Sequence, residues 1–516
     1  MKRLIVCCDG TWNNAEQEQN GIPAPTNVLK IFNAVSEGDP DEKIKQLKYY
    51  HPGVGGEGGL IDKVAGGAIG AGISRNICSA YHWLGLNYEE GDAIYLFGFS
   101  RGAFTARSLG GLLGKGLLKL ADLNSRESWH RVHTAYDQGY RVKSATIADW
   151  AQSDWKFFHD GQPTPIRFIG VWDTVGALGV PDDLELFNIF DDREKWQFHS
   201  TELGAHVKTA RHAMAIDEIR SSFSITRWSN ASEHSDALEL WFPGAHCDVG
   251  GGYSVCDLSD GALLWMMEES GRAELKFRQG ATTTLKPNPL GVMHNSYKGV
   301  FAKFRSRPRN LDAMVDANKV RFHSSALERQ RVSPIAYPPY HPTRILEVTD
   351  ESFEVDVFAD TQWNYTGVYL PAGHAFLFSA TGEWQDGKDT CDWKGTEDAS
   401  LTIGDIFRGA STFLGKSEDF VKRITRNQST DLLGTKRVEQ FKWFTMVGAI
   451  TNDGASSAAV TNDGSPVPHQ YVDLTAHEKE PFVVTASGYL YCFANDVWSL
   501  YENNRGSVRL SIRRVT

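Results

Sequence analysis

Ala93-Ile-Tyr-Leu-Phe-Gly-Phe-Ser-Arg-Gly-Ala-Phe-Thr-Ala106 joins an apolar run, a G-x-S-x-G pentapeptide at Gly98–Gly102 and the small-residue opening of a helix. The pentapeptide alone occurs by chance, and its context gives it meaning. A buried strand that turns sharply into a helix leaves the serine between them at the top of a sheet, and the glycines let the turn pack tightly. The helix N-terminus beneath Ser100 puts the positive end of its dipole where oxyanion charge would develop. Ser100 is the candidate nucleophile.

Working outward, Leu4–Cys8, Ile166–Trp172 and Leu238–Phe242 are further short runs, β-branched or aromatic and without clean alternation. Strands buried on both faces of a parallel sheet have this texture. Between them, Ala65–Leu86 and Arg101–Lys119 are rich in Ala, Gly and Leu, which suits helices packed closely on such a sheet. The pattern is α/β, a mostly parallel sheet flanked by helices.

A serine hydroxyl needs a base, and the base needs an orienting acid. Asp173 closes the apolar run Pro165-Ile-Arg-Phe-Ile-Gly-Val-Trp-Asp173 and is the acid candidate. His246, in Gly244-Ala-His-Cys-Asp-Val-Gly-Gly-Gly-Tyr253, again follows a strand, and the glycines let the chain curl so that the imidazole turns back; it is the base candidate. His294 and His323 compete for that role. Asp248 is either an alternative orienter or the anchor of the glycine loop. An oxyanion hole needs two N–H donors. One is expected from Arg101, the other from Gly10 or Thr11 in the loop after the first strand, where Asp9 is otherwise a turn-former.

Composition narrows the function. With 41% hydrophobic residues, 23% charged residues and 15 Trp, the 516-residue chain is that of a folded globular protein with room for more than one domain. A formal net charge of −11, without a dense Lys/Arg cluster, excludes nucleic acid as the main partner. The apolar run at the N-terminus is stopped by Asp9, too early for a signal peptide. No stretch approaches the roughly 20 apolar residues of a membrane span, so the expectation is a protein made in the cytoplasm of its producer, secreted if at all without a signal peptide. The 7 cysteines show no zinc or disulfide spacing and read as buried free thiols.

Ser333-Pro-Ile-Ala-Tyr-Pro-Pro-Tyr-His-Pro-Thr343 is rich in proline and reads as an interdomain connection. Beyond it Phe353–Phe358, Gly367–Phe378, Phe441–Ile450, Phe482–Phe493 and Ser507–Val515 are strand candidates separated by turn signals. The expected organisation is a catalytic domain over residues 1–343 and a β-sandwich over residues 346–516. Near the end, a strand, an oxygen-rich loop and a closing strand bring Asp496, Asn503 and Asn504 together, a supply of the hard oxygens that calcium prefers.

Val6–Asn14, Gly91–Phe104, Gly170–Val175 and His246–Tyr253 resemble, in that order, the α/β-hydrolase domain of bacterial type VI secretion phospholipase effectors, over roughly residues 1–340. The resemblance implies lipase or phospholipase A activity with a Ser100–Asp173–His246 triad. It also implies a phospholipid or other acyl ester substrate, peripheral contact with a membrane surface, and a secretion-system carrier or immunity protein as partner. Residues 350–516 resemble the calcium-dependent galactose-binding bacterial lectin A. That likeness implies a calcium ion held by Asp496, the carbonyl of Leu500, Asn503 and Asn504, with a further carbonyl at Asp386, and a glycan as ligand. The loop that should meet the sugar, residues 387–400, departs from that family's pattern. Three activities follow: a lipolytic enzyme targeted by its lectin-like domain, a carbohydrate-binding protein with an inactive hydrolase domain, and an esterase that removes acyl groups from glycans.

Overall fold

The computed structural model describes residues 1–10, 17–19, 21–39, 44–53, 68–176, 202–303, 305–332, 339–386, 389–396, 436–452, 465–498 and 500–516. They fall into two compact units. The first comprises Met1–Lys298, Lys319–Pro334 and Val460–Pro466; the second comprises Gly299–Asn318, Ile335–Ala459 and Val467–Thr516. From sequence, residues 299–318 fall in the first domain. In the structure they cluster with the second, so no single cut in the chain separates the two. The connecting prolines at 334 and 338 lie outside the described residues.

The first unit is built on a seven-stranded sheet. Its strands are β1 (Lys2–Cys8), β2 (Gly38–Asp39), β3 (Ile44–His51), β4 (Ala93–Phe99), β5 (Phe168–Trp172), β6 (Ala210–Ala215) and β7 (Ala237–Phe242), in the order β2-β3-β1-β4-β5-β6-β7. Every pair is parallel except β2 with β3. Alternate side chains serve opposite faces, as the pleat requires. On one face Leu4, Val6, Ile94 and Leu96 pack with Ile77 and Leu84 of α2 (Ala68–Asn87) and Leu109 and Leu113 of α3 (Arg101–Leu113). On the other, Ile5, Cys7, Tyr95 and Phe97 meet Val28 and Ile31 of α1 (Asn27–Ala34) and Leu263 and Met266 of α5 (Asp257–Arg272), which follows the short α4 (His246–Gly250). Each such side chain contributes roughly 1.5–3 kcal/mol by leaving water.

The helix expected over 101–119 ends at Leu113, where Gly114 closes it. Three strands, the two-residue β2 and the longer β3 and β6, were not legible from the apolar pattern. β6 reads Ala-Arg-His-Ala-Met-Ala yet is buried at all six positions, because Arg211 is neutralised by Glu269 at 2.6 Å inside the fold.

The second unit has two antiparallel sheets sharing one core. In one, β8 (Ser352–Phe358), β13 (Asn504–Arg514) and β10 (Ala375–Asp386) lie side by side; in the other, β9 (Asn364–Leu370), β12 (Gly488–Ala494) and β11 (Trp443–Asn452) do. Val508, Leu510 and Ile512 of β13 and Leu490, Cys492 and Ala494 of β12 fill the space between them. This is the expected β-sandwich. The run expected over 367–378 is two strands, divided at Pro371 and at Gly373, whose φ of 84° turns the chain.

Candidate active site

Ser100, Asp173 and His246 follow β4, β5 and β7, so all three stand at the carboxyl ends of parallel strands, where α/β sheets bind their ligands. Ser100 is the residue between β4 and α3. It has φ 57° and ψ −126°, a backbone conformation that L-residues adopt only when their surroundings impose it. The imposition is visible. The Ser100 amide donates to the Trp172 carbonyl at 3.1 Å, and Gly102 packs so tightly on the Cys8 and Asp9 carbonyls that a Cβ there would collide with both. The glycine thus sets the start of α3 directly against the end of β1.

Asp173 is also at positive φ, 33°, and is fully buried. Its amide donates to the Ala213 carbonyl at 2.7 Å, and its Oδ1 accepts from the Ala215 amide at 2.9 Å, so β6 holds both its backbone and its side chain. Its Oδ2 lies 2.5 Å from His246 Nδ1. The imidazole sits between the Phe99 ring at 4.5 Å and the edge of Phe223 at 4.9 Å. Phe99 immediately precedes Ser100, so this ring contact holds the imidazole close to the turn that carries the serine. The Ser100 hydroxyl itself makes no hydrogen bond among the described residues; such bonds are often long in ligand-free enzymes and tighten around substrate. Burial lowers the His246 pKa from its ordinary value of 6.5, against the pull of Asp173, which favours the neutral ring.

A supporting group was not anticipated from sequence. The buried Glu218 carboxylate accepts from the His246 amide at 3.3 Å and pairs with Arg220 at 2.7 Å, while Arg220 lies over the Phe223 ring at 3.6 Å. Nothing in Ile216-Asp-Glu-Ile-Arg220 distinguishes it from a solvated loop; only the fold turns it inward.

The competing assignments resolve into structural tasks. Asp248 accepts from the Ala245 amide at 3.0 Å and holds His294 Nδ1 at 2.6 Å, anchoring the loop rather than orienting His246. His323 caps a helix through Ser325 and stacks on Phe242 at 4.3 Å, and burial brings its pKa to about 4. Asp9 accepts from Thr26 and Tyr50, each at 2.7 Å, and from the Gly10 amide at 2.7 Å. That last bond turns the Gly10 amide toward Asp9 and away from duty as an oxyanion donor. Arg101 occupies the first position of α3, whose early amides have no intrahelical acceptor. Thr11 lies outside the described residues.

In the second unit the residues expected to bind calcium do converge. Asp386 and Asn504 are register partners between β10 and β13. Asn503 Nδ2 donates to Asp386 at 2.8 Å, and Asn504 Nδ2 donates to the buried Asp496 at 2.9 Å. The Leu500 carbonyl accepts from the Asn503 amide at 3.1 Å. Asn504 Oδ1 is buried without a hydrogen-bond partner among the described residues, and burial raises the Asp496 pKa to about 6. A buried carboxylate beside an unpaired amide oxygen suits a hard cation. Among the described residues, no three His, Cys, Asp or Glu side chains form a metal cluster, so amides and carbonyls would have to complete the shell.

The parallel sheet, with a strained serine and a bonded Asp–His pair at its carboxyl ends, defines an α/β-hydrolase. Residues 2–269 match the family model described as T6SS, phospholipase effector Tle1-like, catalytic domain, more than half of the chain, and the protein belongs to that family. An uncharacterized protein of Saccharomyces cerevisiae is 32% identical over 244 residues, covering 43% of this chain and 32% of the relative; the chain thus spans about a third of that protein. An uncharacterized Pseudomonas aeruginosa protein of known structure aligns with 54% of this chain and 46% of its own at 19% identity and TM-score 0.33. A Tle1 effector solved bound to the VgrG spike of the type 6 secretion system aligns with 56% of this chain and 76% of its own at 17% identity and TM-score 0.36. The N-terminal domain of EclA, a PllA-like lectin, aligns with 31% of this chain and 94% of its own at 18% identity and TM-score 0.16.

Proposed function

We propose that the protein is a serine esterase, a phospholipase A whose triad is Ser100, His246 and Asp173. The observation that carries this reading is the buried 2.5 Å contact between Asp173 Oδ2 and His246 Nδ1 beside a serine at positive φ. A buried carboxylate facing Nδ1 keeps the proton there and leaves Nε2 as the base. Ser100 Oγ then attacks the acyl carbonyl, its proton passes to Nε2, and the same proton is returned to the departing lysophospholipid oxygen. Water attacks the acyl-enzyme by the same relay and releases the fatty acid. The Arg101 amide supplies one oxyanion donor. With Gly10 turned to Asp9, Thr11 is the remaining choice for the second.

Membership of a type VI secretion effector family supports carriage by a secretion-system component, action at a membrane surface without insertion, and an immunity protein in the producer. Among the described residues no helix is long and apolar enough to cross a membrane. The second unit is proposed to hold one calcium ion through Asp496, Asn503, Asn504, the Leu500 carbonyl and a carbonyl at Asp386, and through it a glycan. Bound there, calcium would offer coordination positions to sugar hydroxyls; the triad makes its own nucleophile and has no task for a metal.

The test is a panel of phospholipid vesicles, triglycerides, soluble short esters and acylated glycans, each run with Ser100→Ala. Fatty acid and lysophospholipid from vesicles, absent with the variant, are expected. Turnover of acylated glycans alone would favour the glycan esterase. No turnover with glycan binding retained would favour a carbohydrate-binding protein with an inactive hydrolase domain.

A further inference from the structure

Behind the triad lies a second buried histidine that the proposed mechanism leaves unused. His212, on β6, is fully buried, and its ring has a partner on each nitrogen. Nδ1 is 3.0 Å from Glu239 Oε1 on β7, and Nε2 is 3.2 Å from the amide nitrogen of Thr174, the residue after Asp173. A backbone N–H can only donate, so Nε2 must be the bare nitrogen and Nδ1 must carry the proton. Glu239 enforces that tautomer. Burial works against its charge, yet Arg227 at 2.9 Å, His212 and the Trp228 amide hold its pKa at about 2. An ionised carboxylate accepts and never donates.

Thr174 has little freedom elsewhere. Its carbonyl accepts from the Thr226 amide at 2.8 Å, and the Thr226 carbonyl in turn accepts from Arg107 of α3. Thr174 is itself fully buried, so its amide has no water to replace a lost acceptor. The residue before it, Asp173, is held at φ 33°, a conformation that persists only while its surroundings over-determine it.

We propose that His212 is a positioning residue for the triad: as a neutral Nε2 acceptor it pins the Thr174 amide and thereby fixes the strained Asp173 carboxylate against His246. The groups facing its ring are Glu239 from β7, Arg107 from α3, Asp173 from the end of β5 and the Trp228 ring at 5.4 Å. Arg227 acts on it through Glu239. Protonation of His212 would set an N–H against the Thr174 N–H and release the residue behind Asp173. Burial, opposed by Glu239, lowers its pKa from 6.5, which protects the neutral form where the enzyme is expected to work.

The inference rests on Asp173 being the triad acid, and the experiment separates the two. Turnover of a soluble p-nitrophenyl ester is measured for wild type, His212→Phe, His212→Gln and Ser100→Ala, with active sites counted by a fluorophosphonate probe. His212→Phe removes the acceptor and is expected to lower kcat about 10- to 100-fold with KM within about twofold, since small misplacements of a catalytic group cost rate and not binding. His212→Gln, whose amide can accept from Thr174 and donate to Glu239, should recover much of that loss. In the wild type, imidazole nitrogen NMR at pH 7 should show His212 neutral and protonated on Nδ1, a result independent of how any variant folds. Unchanged kcat per titrated site in both variants, or a proton on Nε2, overturns the inference. Activity surviving in Ser100→Ala overturns the function reading whatever His212 does.

Discussion

Asp173 and His246, 73 residues apart in the chain and set at the ends of β5 and β7, meet at 2.5 Å in a site where neither side chain is open to solvent. β6 lies between the two strands and grips Asp173 through the Ala213 carbonyl and the Ala215 amide. The contact therefore depends on three strands at once, and it fixes which imidazole nitrogen is free.

Asp173→Asn should keep the fold and lose the tautomer. An amide can turn its nitrogen toward Nδ1, which then gives up its proton and leaves Nε2 protonated and useless as a base. A loss in kcat on the order of 10⁴, with KM little changed, is expected from the same substitution in other triads. Steady-state kinetics on the folded variant check it; wild-type kcat would remove Asp173 from the triad.

The pH profile follows from burial of the base. His246 is held below the usual 6.5, so kcat/KM should rise with pH through an apparent pKa under 6.5 and be flat by pH 7. The same sign governs stability. A histidine whose folded pKa is depressed contributes fully above its unfolded value and loses that contribution as pH falls through the folded value. His212 shares the direction and burial brings His323 to about 4, so the histidine contribution to stability should decline from pH 6.5 toward pH 4. An acid limb centred above 6.5 would mean that His246 is not the buried base described.

Gly102→Ala tests the turn. The new Cβ would press on the Cys8 and Asp9 carbonyls, both backbone, and neither can yield without moving β1 or α3. Overpacking of this kind costs about 1–3 kcal/mol, so Tm should fall by several degrees and turnover should fall with it. A variant as stable and as active as wild type would show that the elbow is looser than drawn.

How much of this was legible in the sequence depended on how each residue type advertises itself. The position of Ser100 was readable because a tight turn from strand to helix demands glycines at fixed offsets, and those of Asp173 and His246 because each follows an apolar run at the end of a strand. His212 and Glu239 were not, since polar residues inside β6 and β7 interrupt the apolar pattern and are satisfied only by partners that the fold brings in, the Thr174 amide on His212 and Arg227 on Glu239. β3 was lost for a related reason. Its lysines, as in Ile-Lys-Gln-Leu-Lys, resemble an exposed segment, although its parallel pairing with β1 is complete over seven residues. In the second unit, the convergence of Asp496 with Asn504 was readable from one loop, whereas the register that adds Asp386 from β10 was available only through resemblance.

Calcium should stabilise the second unit in a way that depends on Asp496. Without metal, burial raises that carboxyl to about 6, so its contribution to stability is full below the ordinary 3.8 and is lost as pH rises through 6. Calcium needs the carboxylate and replaces the proton. Saturating calcium should thus raise Tm at pH 7.5, by about 2.7 kcal/mol of stability at a hundredfold excess over Kd, and the gain should shrink below pH 6. Asp496→Asn should abolish it. Calorimetry with and without chelator reads this directly; a pH-independent gain, or one that survives Asp496→Asn, would place the ion elsewhere.

The central claim is that Ser100 is the nucleophile of a phospholipase. The most direct measurement is release of fatty acid from phospholipid vesicles by wild type and Ser100→Ala, matched for folded protein by circular dichroism and Tm. The predicted result is lysophospholipid and fatty acid in equal amounts from the wild type, with a loss of several orders of magnitude in the variant. Undiminished release by a folded Ser100→Ala would contradict the account.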